Sequence, residues 1–297
     1  MSKKPNISIQ FEQEPLLFPP LLVQQRFNQC AKHYDHDNAI GEEIAKRLTD
    51  RLDDLKRPFH TVLDLGAGTG TVANLVQQSQ SNCNIVTLDF AHNMLKQSPH
   101  LNVLANAEGA LPFADETFDL VISNFCLPFI NDIPKFLHSA GKALKKDGLF
   151  MATTLGLESF REFKKSAEAV GLTGMRTFPL PDIQSVGAAV QRIGFALPVI
   201  DRDVIQVSYP SLQDFYQELK ALGATNIHPQ RPKGCTPPKK WQKMEEHYLK
   251  NYSTADGEIL VTLEVIYIHG FRPHQSQPKA LKPGTGQKSL AQTLKST

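Results

Sequence analysis

Two carboxylates bracket a glycine-rich stretch of this chain. Asp64 stands within Val62-Leu-Asp-Leu-Gly-Ala-Gly-Thr-Gly70, and Asp89 closes the next apolar run, Asn84 to Leu88. Gly66, Gly68 and Gly70 let backbone turn sharply and approach a ligand without interference from a Cβ. An acidic residue roughly 20 positions further on can accept both hydroxyls of a ribose. A carboxylate in an apolar strand is costly unless something pairs with it, so Asp64 asks for a cation. The pyrophosphate of NAD would be repelled there, whereas a sulfonium and an ammonium would be attracted. D-x-G-x-G-x-G followed by Asp89 therefore points to S-adenosylmethionine as the ligand.

These residues need a strand, a tight turn and a helix to present them. Thr61 to Leu65 has the length and apolar content of a buried strand, and Thr71 to Gln78 reads as a helix whose free N–H groups point back at the turn. Further strands are expected near 84–88, 101–104, 118–123 and 148–154, separated by helical segments, which implies parallel crossovers. Ahead of them, Leu21 to Lys32 and Ile40 to Leu55 show helical spacing and could close over the ligand. Beyond Thr154 the pattern changes to helices at Leu157–Val170, Asp182–Ile193 and Leu212–Leu222, a strand at Val199–Val207, and a long final strand at Ile259–His269. The division expected is a flexible lead-in over 1–19 and a single domain over 20–272. Within that domain the cofactor half is about 56–155 and the acceptor-side insertions about 156–257. Residues 273–297, rich in Gln, Ser, Pro, Lys and Gly, read as a disordered tail.

The ordered motifs resemble the class I S-adenosylmethionine-dependent methyltransferases. They are Leu63 to Gly70, Asp89 with Met94 behind it, Asn106-Ala-Glu-Gly-Ala-Leu-Pro-Phe113, and Phe118-Asp-Leu-Val-Ile-Ser-Asn124. A narrower resemblance, to the malonyl-acyl-carrier-protein O-methyltransferases of biotin synthesis, rests on several other segments. These are Phe27 to Asp35, Asn131-Asp-Ile-Pro134, Tyr209-Pro210 followed by Leu219-Lys-Ala-Leu-Gly-Ala-Thr-Asn226, and Thr262 to Gly270. A related group, the mitochondrial complex I assembly factors associated with protein arginine hydroxylation, shares these motifs. The resemblance implies a Rossmann-like α/β fold: a mostly parallel seven-stranded sheet with an antiparallel last strand, helices on both faces, and a helical cap from the N-terminus and the late insertions. It also implies cofactor contacts from Tyr34, Asp64, Gly66, Ala67, Gly68, Gly70, Asp89, Phe90, Met94, Asn106, Ala107, Glu108 and Asn124. Asn106 stands where the family recognises adenine, usually through an Asp; a plain turn residue is the competing reading. Leu127-Pro-Phe-Ile130 replaces a Gln-Trp that the family often carries beside the donor methyl.

The chemistry implied is methylation of the free carboxyl of a malonyl thioester on acyl carrier protein. A carboxylate is already anionic and needs no general base, so alignment and desolvation supply the acceleration. Selecting it calls for a cation. Arg176, Arg192 and Arg202 are the candidates, with Arg176, aided by Tyr34, preferred. Another small-molecule acceptor, a protein arginine, or a non-catalytic assembly role are the alternatives.

With 297 residues, 41% of them hydrophobic, the chain can bury one large core. A formal charge of +2 carries no nucleic-acid signal. No run has the length of a membrane span, and Met1-Ser-Lys-Lys-Pro lacks a signal peptide's apolar stretch, so a cytoplasmic monomer is expected. The four cysteines show no metal or disulfide spacing, and no histidine has ligand spacing. Acyl carrier proteins are acidic, and Pro229 to Lys243, basic and carrying the single tryptophan, is the candidate docking segment.

Overall fold

The apolar runs form seven strands among the described residues: β1 (Thr61–Leu65), β2 (Asn84–Asp89), β3 (Leu101–Leu104), β4 (Phe118–Ser123), β5 (Leu144–Leu155), β6 (Ala196–Tyr209) and β7 (Ile259–Phe271). The computed structural model describes residues 16–55, 57–172, 180–228, 231–232 and 234–278. One sheet results, in the order β3-β2-β1-β4-β5-β7-β6, and only β7 runs antiparallel to its neighbours. The expected parallel half with an antiparallel last strand is thus present.

Ten α-helices accompany the strands among the described residues. They are α1 (Pro20–Cys30), α2 (Tyr34–Asp37), α3 (Ala39–Asp50), α4 (Thr71–Ser79), α5 (His92–Leu95), α6 (Ile133–Ala143), α7 (Arg161–Ala169), α8 (Ile183–Ile193), α9 (Leu212–Ala221) and α10 (Pro238–Tyr252). Side chains alternate between the two faces along each strand, and the core divides accordingly. Leu63, Leu65, Val121, Phe150 and Ile266 pack with Phe136 of α6 and Val190 of α8. Val62, Leu120, Ile122, Met151 and Val265 pack with Ile44, Val72, Phe163, Phe215 and Met244 from α3, α4, α7, α9 and α10. Three helix starts are fixed by side-chain caps: Asp132 accepts from Lys135 N, Asp182 from Gln184 N and Ser185 N, and Ser211 Oγ from Asp214 N.

Several boundaries differ from the sequence reading. The helix expected from Leu157 begins at Arg161, because Gly156 N and Phe160 N donate to Glu264 O and Thr262 O of β7, leaving residues 156–160 in a turn. Phe18, placed by sequence in a flexible lead-in, is 4% exposed. Its N–H donates to Asn131 Oδ1 at 2.9 Å, and its carbonyl accepts from Asn131 Nδ2 at 3.0 Å. Gln277, placed in a disordered tail, donates to Asp147 Oδ1 at 2.8 Å and to Arg272 O at 2.9 Å. In both places a polar side chain satisfies main chain or carboxylate that composition alone assigns to solvent. Residues 1–15 and 279–297 lie outside the described residues.

Asn131→Ala removes both partners of Phe18. Native-state hydrogen exchange should show the Phe18 amide opening about tenfold more often, the worth of a ~1–1.5 kcal/mol hydrogen bond, while the β1 amides keep their protection.

Candidate active site

The glycine turn is held against the end of β2. Gly66 N and Ala67 N donate to Leu88 O at 2.8 and 3.0 Å, and Gly68 N donates to Asp89 Oδ2 at 2.9 Å. Asp89 Oδ1 accepts from Ala91 N at 2.7 Å. Burial raises the Asp89 carboxyl above its ordinary range, against the backbone donors that pull it down. Each oxygen retains a lone pair for a ligand hydroxyl.

Two of the glycines are required by different facts. Gly66 has φ +75°, and a Cβ there would lie 2.4 Å from Cys126 Sγ. Gly68, at φ +57°, has nothing within 4 Å of where its Cβ would be and faces the cavity. The first lets the end of β4 close against the turn, and the second leaves backbone open to a ligand.

A cavity of about 1330 Å³, counted out to its mouth, opens beside this turn. Gly66, Gly68, Asp89, Phe90, Met94, Asn106, Ala107 and Glu108 form one wall. The cap contributes Phe18, Val23, Phe27 and Tyr34, with Phe27 edge-on to Tyr34 at 6.4 Å. The far wall comes from Phe125, Phe160, Tyr209, Phe215, Glu218, Leu219, Leu222 and Ala224.

The polar residues of the first wall are already engaged. Asn106 Oδ1 accepts from Glu108 N at 2.9 Å, so this residue shapes its turn and also lines the cavity. Glu108 accepts from Asp132 N and from Asn131 Nδ2, at 2.8 and 3.2 Å. Asn124 donates to Gly41 O at 3.0 Å and accepts from Thr153, tying α3 to the ends of β4 and β5. Burial pushes the Tyr34 phenol well above its ordinary value, reinforced by Cys30 and the nearby acids.

Three expected contacts are not on the cavity surface. Ala67 and Gly70 lie in the turn but do not line it, and Asp64 points elsewhere. Asp64 shares the strand face of Val62, which α4 covers, so its Oδ2 accepts from Ala73 N at 3.1 Å and the residue is 1% exposed. Its missing partner is the first turn of α4, and burial, with the Asp89 charge adding to it, raises its carboxyl to about 7.

Of the three arginines, Arg176 lies outside the described residues, Arg192 is exposed on α8, and Arg202 pairs with Glu264 at 3.2 Å. No Lys, Arg or His lines the cavity among the described residues. Sequence reasoning missed Phe18, Cys126, Phe160, Phe215 and Glu218. Only Glu218 carried a signal, standing directly before the Leu219–Asn226 signature.

The walls fit a nucleoside cofactor: apolar Phe90, Met94, Ala107 and Ile130 for a base, the Asp89 carboxylate for ribose hydroxyls, and the open backbone at Gly68 for an amino-acid moiety. Sheet order and site together define a class I methyltransferase. Residues 63–152 match the family described as a methyltransferase domain. A malonyl-acyl-carrier-protein O-methyltransferase of Halorhodospira halophila is 31% identical, covering 84% of this chain and 86% of the relative. The mitochondrial arginine hydroxylase of Mus musculus is 30% identical, covering 94% of this chain and 84% of the relative. The YcgJ protein of Bacillus subtilis shares the fold, with a TM-score of 0.54 at 17% identity over 76% of this chain and 98% of that one. The chain belongs to the class I S-adenosylmethionine-dependent methyltransferases and is similar to the malonyl-acyl-carrier-protein O-methyltransferases among them. S-adenosylmethionine is its cofactor.

Asp64 gives the apo protein a definite pH signature. Its folded pKa is above the unfolded value, so the folded state holds the extra proton, and stability falls as pH rises from about 4 to about 7. Asp64→Asn keeps an acceptor for Ala73 N. Urea midpoints measured across that window should fall for the wild type relative to the variant, and parallel curves would refute the assignment.

Proposed function

We propose that this methyltransferase esterifies the free carboxyl of a malonyl thioester on acyl carrier protein, in biotin synthesis. The observation that carries this reading is that Leu219, Leu222 and Ala224, from the segment that resembles the malonyl-acyl-carrier-protein enzymes, line the same cavity as Gly68 and Asp89. Relatives bearing that name cover most of the chain.

S-adenosylmethionine supplies, when bound, a methyl group activated by a positively charged sulfur. The protein's part is to position and to dry the acceptor. Phe125, Phe160 and Phe215 exclude water from the far half of the cavity, and Tyr34, Phe27 and Phe18 close it from the cap side. No proton has to be removed from a carboxylate acceptor, so the chemistry asks for no general base. Arg176 is proposed as the carboxylate's cationic partner.

The carrier protein would dock through α10. Lys239, Lys240 and Lys243 are exposed there, Lys240 donating to Gly171 O at 3.1 Å, while Met244 and Tyr248 are buried and Trp241 packs on Tyr216 at 5.4 Å. Reversing the three charges to Glu should lower kcat/KM for the carrier-bound acceptor by about tenfold at low salt, with the difference shrinking as salt rises.

A second reading, modification of a protein arginine, is favoured by the acid character of the cavity: Asp89, Glu108 and Glu218 line it without a described cation. Labelled S-adenosylmethionine with malonyl-carrier protein should yield a base-labile methyl ester. If the protein binds S-adenosylhomocysteine yet leaves that acceptor unlabelled, the malonyl reading fails. A gain of one oxygen on an arginine peptide would then establish the second reading.

A further inference from the structure

Three carboxylates line the cavity, and two of them each hold two protein N–H donors. Asp89 holds two backbone N–H groups, and Glu108 holds Asp132 N and Asn131 Nδ2. Glu218 differs. Its Oε1 accepts from Tyr209 Oη at 3.2 Å, and Tyr209, at the end of β6, is 8% exposed. The side chain has no second donor and no cation among the described residues, and its wall neighbours Phe215, Leu219, Leu222, Ala224 and Leu263 are apolar. Burial raises its carboxyl, Tyr209 opposes that, and the like charge of Asp37 adds to it. Glu218 is half-buried, so a donor that a ligand brings would replace solvent at its second oxygen.

We propose that Glu218, oriented by Tyr209, reads the acceptor by accepting a hydrogen bond from an N–H group on it. The inference rests on the malonyl-thioester reading. In that acceptor the group is the amide N–H two carbons beyond the thioester sulfur. An N–H donated to a carboxylate is charge-assisted and stronger than a neutral pair. The same charge repels the acceptor's own carboxylate, so Glu218 also sets direction: the anionic end lies toward the cofactor and the arm runs along β6 and α9.

Two short acceptors test this, the malonyl thioester of N-acetylcysteamine and its counterpart with an ester oxygen in place of the amide N–H. Wild-type kcat/KM should favour the N–H acceptor by about tenfold or more. Glu218→Leu should remove that preference. Glu218→Gln, which keeps an acceptor oxygen, should retain part of it, and Tyr209→Phe should weaken it. Calorimetry with S-adenosylhomocysteine checks that each variant is folded, and Glu218→Ala replaces Glu218→Leu if the latter fails this check. An undiminished preference in the folded variant lacking Glu218 overturns the inference alone. Methylation of neither thioester by a wild type that binds S-adenosylhomocysteine overturns the malonyl reading and the inference with it. Modification of an arginine peptide that depends on Glu218 would place the N–H on a guanidinium and overturn the thioester assignment.

Discussion

The site depends on how the glycine turn is fastened to the end of β2. Leu88 O takes two of the turn's N–H groups and Asp89 takes a third, so the loop after β1 cannot move without the strand beside it. Parallel strands present their carboxyl ends on one side of a sheet, and the fastening fixes two adjacent ends at once. Ser123 Oγ adds a third by donating to Leu65 O at 2.7 Å. With β1, β2 and β4 locked together, the cofactor wall is a rigid ledge. The cap and the late insertions are built around it.

Much of that ledge was legible in the sequence because local chemistry determines it. Glycines at Gly66 and Gly68 answer to backbone angles and close approach, and an acid at Asp89 answers to a turn two residues from it. Those requirements are short-range. Asp64 was legible as a buried acid but not in its direction, since alternation along β1 gives its face only once α4 is known to cover that side. Its partner, Ala73 N, is nine residues away in sequence and belongs to a different element.

The opposite wall was legible in part. Tyr209 and the Leu219–Asn226 segment stood out, yet nothing local says that β6 and α9 meet the end of β4 across a cavity. The same limit applies to Phe18 and Gln277. Phe18 sits between Leu17 and Pro19 and Gln277 lies in a polar, proline-containing stretch, and each is held by one distant side chain, Asn131 and Asp147. A single distant side chain leaves no periodicity to read.

Asn131 joins two walls at one amide. Its nitrogen donates to Phe18 O in the cap and to Glu108 Oε2 in the 106–109 turn. Substitutions in the cap and in the 106–109 turn therefore draw on a shared donor, and their free-energy effects will not sum. Loosening either wall leaves the amide more available to the other. Sequence drift at these two places is thus constrained jointly, although about a hundred residues of chain separate them.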